Sequence, residues 1–194
     1  MLLQLSLQQK NRLSNQSHIP GDVVKSMNGK TIEILNTDAE GRLILADAIT
    51  YAVREAKVTH LVDVATLTGA VVGALGTVAA GCTTNDEDYL NDFYKAAKTA
   101  GERYWQLPLF EEYEEMLKSK VADLKNMGGP NAGTIAAALF LREFVEDKPW
   151  IHLDIACTSQ TESQSNDYHC FGGTCFATPS LYFLAEKNQE FIEQ

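Results

Sequence analysis

One short acidic motif, residues 36–43, holds the residues best suited to chemistry. It reads NTDAEGRL, with Asp38 and Glu40 two positions apart and Arg42 two positions further along. In extended backbone this spacing predicts that both carboxylates project to the same side. Carboxylates held that close repel each other or share a proton, and one or two divalent cations remove the conflict. Magnesium, manganese and zinc accept such oxygen ligands, and the Arg42 guanidinium can clamp a carboxylate, a bicarbonate or a developing oxyanion.

The acidic motif also has a plainer interpretation. An Asp-x-Glu pair at the start of a helix is usually an N-cap with a favourable contact to the helix dipole. Between the two acids Ala39 is small, and Gly41 lets the chain turn into the helix that follows. The spacing of Asp38 and Glu40 alone leaves both interpretations open.

Two other groups of residues are better explained by structure than by catalysis. Residues 127–134 carry glycines spaced as in a phosphate loop but no lysine between them, which favours a tight turn before a helix. His152 and Asp154 alternate onto one face of a strand, and they are predicted to form an interior hydrogen-bonded pair. The sequence contains no G-x-S-x-G elbow, so a serine hydrolase has no support.

Composition and charge exclude several classes of protein. The 194 residues carry a formal net charge of −10, and so acidic a surface repels nucleic acid. No apolar run is long enough for a membrane span, and the first ten residues lack the basic and apolar regions of a secretory signal. Four scattered cysteines make no disulfide framework, so a cytoplasmic location is expected. The spacing around His169 does not suit zinc, and buried free thiols are predicted at Cys157, Cys170 and Cys175.

Periodicity predicts helices alternating with buried strands. Apolar residues recur at three- and four-residue steps over 41–55, 86–100 and 133–146, and Thr178 with Pro179 is typical of an N-cap and first turn. Short apolar runs predict strands over 32–35, 58–67 and 150–156. This order indicates an α/β fold, a three-layer α/β/α arrangement around a central, mostly parallel (mixed) sheet. Ligands of such folds bind beyond the carboxyl ends of the strands.

The acidic motif resembles the signature of the leucine aminopeptidases, the cytosol aminopeptidase family with two metal ions. Five more segments resemble that family in the same order, and the resemblance covers about residues 11–187. These segments are PGDVV at 20–24, MNGKT at 27–31, DVATLTGA at 63–70, ADLKN at 122–126 and WIHLDIA at 150–156.

This resemblance implies a role for each matching residue in the hydrolysis of N-terminal residues from peptides. Asp38 would ligate one divalent cation, zinc or manganese, and Glu40 would bridge two of them. Arg42 would be the catalytic residue that holds a bicarbonate. The substrate-binding residues would be Asn36, Ala39, Thr66, Leu67 and Gly69, with the Leu67 carbonyl fixing the peptide.

The sequence departs from the family in its first part. The family's remaining metal ligands precede the PGDV segment, whereas the nineteen residues before Pro20 contain one lysine and no acid. We therefore expect an N-terminal arm (1–19) and a partial catalytic domain (20–194) that binds metal weakly and is inactive alone. A truncated product, or half of a split enzyme whose N-terminal half is another chain, would fit. The alternative is a non-catalytic remnant that serves as an assembly or binding module, because the family forms hexamers and a homo-oligomer is expected.

Overall fold

The computed structural model describes residues 3–7, 14–162 and 171–190, in which short strands alternate with helices. The helices are α1 (Glu40–Arg54), α2 (Gly69–Leu75), α3 (Glu87–Ala100), α4 (Gly133–Arg142) and α5 (Thr178–Glu190), with 3-10 helices at Thr37–Ala39 and Glu111–Leu117. The strands are β1 (Val23–Lys25), β2 (Thr31–Glu33), β3 (Leu61–Ala65), β4 (Ala80–Thr84), β5 (Tyr104–Gln106), β6 (Leu124–Lys125), β7 (Trp150–Asp154), β8 (Gln160–Thr161) and β9 (Gly172–Gly173).

The chain forms two compact units, each built from two stretches of sequence. The first unit comprises Met1–Leu61 and Leu109–Lys148, and the second comprises Val62–Pro108 and Pro149–Gln194. Each unit contains its own sheet and its own buried core. The predicted boundary between an arm and a domain near residue 20 stays a prediction.

The first unit has a three-stranded sheet in the order β1-β2-β6. β1 and β2 pair antiparallel, and β2 and β6 pair parallel with Ile32 opposite Leu124. Helix α1 contacts α4, and its buried residues Ala46, Ile49 and Val53 recur at three- and four-residue steps. The helical stripe predicted for this segment is confirmed, and the helix lies within one residue of the expected bounds.

The second unit has a four-stranded sheet in the order β3-β7-β4-β5, and β8 and β9 form a separate antiparallel ribbon. β4 runs parallel to β5 and antiparallel to β7. Helices α3 and α5 pack together in the same unit. The core of this unit joins Leu90 and Phe93 of α3 to Ile151 and Leu153 of β7. The sheets are mixed and helices pack with them, which confirms the predicted α/β class.

Two predicted helix ends differ from the structure. Helix α4 ends at Arg142 rather than 146, because the next amides bond carbonyls three residues back and Glu146 has a left-handed φ of 53°. Thr178 is the first residue of α5 rather than its N-cap. The Glu102 carboxylate accepts hydrogen bonds from the amides of Ala177 (2.8 Å) and Ser180 (3.2 Å), so another segment caps this helix.

Glycines shape the turn that precedes α4. Gly129 has a φ of 110°, and a Cβ at Gly128 would lie 2.7 Å from the Cβ of Ala136. Ala132 is itself left-handed at the N-cap position. The tight turn predicted for residues 127–134 therefore agrees with the backbone.

No helix within residues 3–7, 14–162 and 171–190 has the length and hydropathy needed to span a bilayer.

The ends of α3 carry the signals that its sequence predicts. The side chain of Asp86 accepts a hydrogen bond from the Tyr89 amide at 2.8 Å, while Glu87 and Asp88 lie in the first turn. At the other end Gly101 has a φ of 74°, and its amide bonds the carbonyls of the last turn. Both ends are therefore satisfied by local groups.

We predict that Asp86→Ala lowers the free energy of unfolding by about 1 kcal/mol, because it removes the N-cap acceptor. Asp88→Ala is the matched control: it removes an exposed acid from the same turn and should cost only a few tenths of a kcal/mol. Urea unfolding followed by circular dichroism measures both values. Equal losses for the two variants would contradict the capping role.

Candidate active site

The acidic motif begins with a side-chain cap. The Asn36 side-chain oxygen accepts a hydrogen bond from the Asp38 amide at 2.9 Å, and the 3-10 helix Thr37–Ala39 follows directly. Helix α1 then begins at Glu40 without a break. An asparagine cap satisfies a free amide at the start of a helical turn, so the backbone turns helical before either acid is reached.

The extended backbone predicted for Asp38 and Glu40 is therefore wrong. In helical backbone, residues two apart differ by about 200–240° around the axis, so alternation does not put both carboxylates on one side. Asp38 is exposed and Glu40 is partly buried. Neither acid is an N-cap: Asn36 caps the 3-10 helix, and Ala39 at the start of α1 makes no side-chain cap bond. Both acids do lie in first turns, where the helix dipole favours them.

Arg42 lies in the first turn of α1 and is buried, with 9% of its surface exposed. Its Nη1 atom donates a hydrogen bond to the main-chain carbonyl of Asn126 at 2.9 Å. A buried guanidinium held in this way is a fixed positive charge close in sequence to both acids. Its predicted role as the holder of a bicarbonate stays a prediction.

The donor chemistry of the motif fits part of a divalent-cation site. Carboxylates are suitable ligands for zinc and manganese. Within the described ranges, however, no group of three or more His, Cys, Asp or Glu side chains is placed to hold a metal. The described residues therefore fit two ligands of a site and not a complete one.

The predicted substrate residues of the second unit lie between β3 and α2. Thr66 and Gly69 are exposed, and Leu67 is partly buried. A Cβ added at Gly69 would meet no atom within 4 Å, so packing inside this chain does not require a glycine there. The space in front of Gly69 is open to an incoming molecule.

A single buried carboxylate holds this loop, residues 66–68, in place. Asp154, at the end of β7, is fully buried; its Oδ1 accepts from the amides of Leu67 (3.1 Å), Thr68 (3.4 Å) and Ala156 (3.3 Å). Its Oδ2 accepts from the Thr68 hydroxyl at 2.6 Å. Because N–H and C=O point in opposite directions across a trans peptide, the carbonyls of Thr66 and Leu67 face away from Asp154.

The hydrogen-bonded pair predicted between His152 and Asp154 is wrong. His152 Nδ1 instead lies 2.6 Å from Oδ1 of Asp63 on β3, and Trp150 Nε1 donates to Oδ2 of the same carboxylate at 2.6 Å. All of these side chains are buried. The strand alternation was correct, but the acceptor comes from another strand, which a single-strand pattern does not show.

The cysteine predictions have mixed outcomes. His169 and Cys170 lie outside the described residues. Cys82 and Cys157 are buried, and burial raises the pKa of both thiols, that of Cys82 to about 11. Cys175 is exposed, so the prediction of a buried thiol is wrong there. It lies in the bend before α5, with a left-handed φ of 55°.

The predicted site residues fall into both compact units. Asn36, Asp38, Ala39, Glu40 and Arg42 lie together at the start of α1 in the first unit. The remaining three, Thr66, Leu67 and Gly69, lie together before and at the start of α2 in the second unit. Sequence reasoning missed Asn126 and Asp154 as the buried residues that hold these two groups. For Asp154 a polar residue at the end of the apolar strand β7 was an available signal, whereas the short strand before Asn126, Leu124–Lys125, gave none.

Most of the chain is similar to one known family of proteins. The model of the cytosol aminopeptidase family, catalytic domain, matches residues 4–182. A probable cytosol aminopeptidase of Alkaliphilus oremlandii is 51% identical over 181 residues, and one of Clostridium perfringens is 49% identical over 178 residues. These matches cover 93% and 92% of the chain, which spans only 36% of the length of either relative.

Solved structures give the same result. A mutant of tomato leucine aminopeptidase superposes with a TM-score of 0.86 at 41% identity, covering 92% of this chain and 34% of that one. The bottromycin maturation enzyme BotP in complex with Mn superposes with a TM-score of 0.84 at 39% identity, covering 88% and 38%. Sequence identities of 41% and 39% show that the chain resembles these structures in sequence as well as in fold.

We predict that Asp154→Ala lowers the free energy of unfolding by about 3 kcal/mol, because it leaves the buried donors of Thr68 and the half-buried amides of Leu67 and Ala156 without their acceptor. Asp154→Asn keeps one acceptor oxygen and should cost about half as much. Urea unfolding gives these values, and hydrogen exchange at the Leu67 and Thr68 amides should accelerate in both variants.

Thr83→Val is the control for this prediction. Thr83 is buried on β4, and the described part of the chain supplies no hydrogen-bond partner for its Oγ1. This substitution should be neutral or stabilising. Unchanged exchange at Leu67 and Thr68 in Asp154→Ala would contradict the role of Asp154 in holding the loop.

Proposed function

Because the chain belongs to the cytosol aminopeptidase family, a family of hydrolases, we propose that it is part of a metal-dependent aminopeptidase. Such an enzyme hydrolyses the first peptide bond of a peptide and releases its N-terminal residue. The observation that carries the proposal is the acidic motif at the start of α1, where Asp38, Glu40 and Arg42 lie within two turns of helical backbone.

In this proposal the two acids of the motif are metal ligands. Asp38 would help to hold one divalent cation and Glu40 would help to hold both, with zinc or manganese as the metal. The exposure of Asp38 and the partial exposure of Glu40 support this role, because both carboxylates are within reach of an ion from solvent. The cations, when bound, supply the Lewis acidity that activates water for attack on a peptide carbonyl. BotP, a similar protein, has been solved in complex with Mn.

Arg42 contributes a fixed positive charge. Its Nη1 atom is anchored by the Asn126 carbonyl, and the planar, always charged guanidinium has the fork of donors that matches an anion such as bicarbonate. The charge is permanent across the working pH range because the guanidinium does not lose its proton. A bicarbonate held by Arg42 would supply a general base beside the metal site.

The 66–68 loop binds the peptide substrate in this proposal. Asp154 turns the Thr66 and Leu67 carbonyls away from the buried side of the loop, which is the orientation needed to accept a hydrogen bond from a peptide amide. Gly69 leaves open space for close approach. Asn36 and Ala39 border the leaving residue.

The complete enzyme needs more ligands than the described residues supply. We propose that the 194-residue polypeptide alone is inactive and that the other ligands come from further polypeptide. A cytoplasmic location and assembly into a homo-oligomer complete the proposal; the word cytosol in the names of its relatives supports the first.

A second candidate function is a non-catalytic assembly or binding module. The absence of a three-residue metal cluster within the described ranges favours it over catalysis for this polypeptide in isolation. The two candidates differ in one property: a module does not need the carboxylates of Asp38 and Glu40 to bind cations.

We predict that the polypeptide binds Mn²⁺ weakly and that the double variant Asp38→Asn/Glu40→Gln reduces the affinity at least about tenfold, since each ligand lost removes a direct charge contact. Electron paramagnetic resonance of free Mn²⁺ measures the affinity. Glu111→Gln/Glu112→Gln is the matched control. It removes two exposed acids from the same unit, so its net charge equals that of the Asp38→Asn/Glu40→Gln variant.

An equal loss of Mn²⁺ affinity in both double variants would refute the ligand role and favour the binding module.

A leucyl-peptide assay with Mn²⁺ or Zn²⁺ tests the proposal that the polypeptide alone is inactive. We expect no turnover by the polypeptide alone. Robust turnover by the polypeptide alone would contradict the proposed inactivity, and its loss in the Asp38→Asn/Glu40→Gln variant would show that the activity needs these two carboxylates.

A further inference from the structure

Asn126 lies directly after β6, at the edge of the first unit's sheet next to β2. Its side chain is fully buried, and its main-chain amide donates to the Glu33 carbonyl at 3.0 Å, which continues the parallel pairing of β6 with β2. The chain that leaves β2 runs past Asn126 on its way to the acidic motif. The contact is therefore between the end of one strand and the entry to the motif.

The Asn126 side chain bonds three polar groups of two consecutive residues in that passing backbone. Its Oδ1 accepts from the amides of Leu35 (2.9 Å) and Asn36 (3.3 Å), and its Nδ2 donates to the carbonyl of Asn36 at 2.7 Å. Asn36 in turn caps the 3-10 helix that carries Asp38. The direction in which the motif starts is thus set from the neighbouring strand.

The main chain of the same residue also holds the positive member of the motif. The Asn126 carbonyl accepts the hydrogen bond from Arg42 Nη1 at 2.9 Å. Asn36 lies before the two acids and Arg42 lies after them. One buried residue therefore fixes both ends of the segment that contains Asp38 and Glu40.

We propose that Asn126 is a positioning residue of the metal site, which sets where the Asp38 and Glu40 carboxylates lie relative to the Arg42 guanidinium. This inference rests on the proposed function for the identity of the ligands. Asn126 does not touch the metal or the substrate in this account. It acts through Asn36 at one end of the segment and through Arg42 at the other.

Asparagine suits this role because one side chain must both accept and donate. An ionised aspartate only accepts and would face the Asn36 carbonyl with a second negative oxygen, while a serine offers a shorter reach. A residue without polar atoms would leave two amides and one carbonyl of the entry segment without these bonds. Removal of such outer contacts typically lowers metal affinity by roughly 10- to 100-fold.

The test compares Asn126→Ala and Asn126→Leu with the wild-type chain. Leucine has the same branching as asparagine and a larger volume, so it leaves no cavity, and agreement between the variants assigns the effect to the lost hydrogen bonds. Asn28→Ala is the matched control, because Asn28 is an asparagine of the same unit whose side chain also accepts and donates. Its bonds hold the turn between β1 and β2 and join that turn to the Glu143 carbonyl, and neither contacts the motif.

The first readout needs no metal. Backbone amide shifts of residues 35–42 should move in both Asn126 variants and stay in place in Asn28→Ala, and hydrogen exchange at Leu35 and Asn36 should accelerate. The second readout is Mn²⁺ affinity, which should fall about tenfold in the Asn126 variants and little in the control. Amide changes confined to residues 124–128, with Mn²⁺ affinity no lower than in Asn28→Ala, would overturn the proposal.

The proposal can still be tested if the Asn126 variants do not fold or if the chain binds no Mn²⁺. If neither Asn126 variant folds, the wild-type chain decides: scalar couplings across the hydrogen bonds from the Leu35 amide and Asn126 Nδ2 should be detectable, and their absence would overturn the proposal. If the wild-type chain binds no Mn²⁺, the ligand role of Asp38 and Glu40 fails. The metal-free amide shifts then still report whether Asn126 fixes residues 35–42.

Discussion

The entry to the acidic motif depends on the hydrogen bonds between the buried side chain of Asn126 and the backbone at Leu35 and Asn36. They fix the chain at the point where it leaves β2, and Asn36 then caps the helical turn that carries Asp38. Each bond replaces a bond to water and is worth only about 1 kcal/mol. Their main effect is on orientation: they fix the backbone geometry from which the turn with the two carboxylates begins.

The second unit holds its candidate substrate loop in a similar way. Asp154 places a fully buried carboxylate under residues 66–68, and three amides and one hydroxyl donate to it. A buried charge is tolerated because these donors replace the water that it loses. In both units a polar side chain at a strand end fixes a loop from the adjacent strand. Rigid support of this kind lets exposed loops carry chemistry.

Local signals in the sequence were enough to predict the α/β fold class and the helices α1, α3, α4 and α5, but the short helix α2 was missed. Asp86 and Gly101 bound α3 as expected, since a cap and a left-handed glycine act through neighbouring residues. Contacts between distant segments could not be read in this way: the bonds of Asp154 to the 66–68 loop, and of Asp63 to His152, join different strands. The extended geometry assumed for Asp38 and Glu40 failed because the Asn36 cap starts a helical turn earlier than expected.

We propose that the carboxylates of Asp38 and Glu40 bind divalent cations. Anomalous diffraction from a crystal of the chain soaked in Mn²⁺ tests this binding. We expect an anomalous peak at about 2.0–2.2 Å from oxygen atoms of both residues, the typical distance between a metal ion and a carboxylate oxygen. No peak between them, with both carboxylates directed into solvent or bonded to main-chain amides, would contradict it.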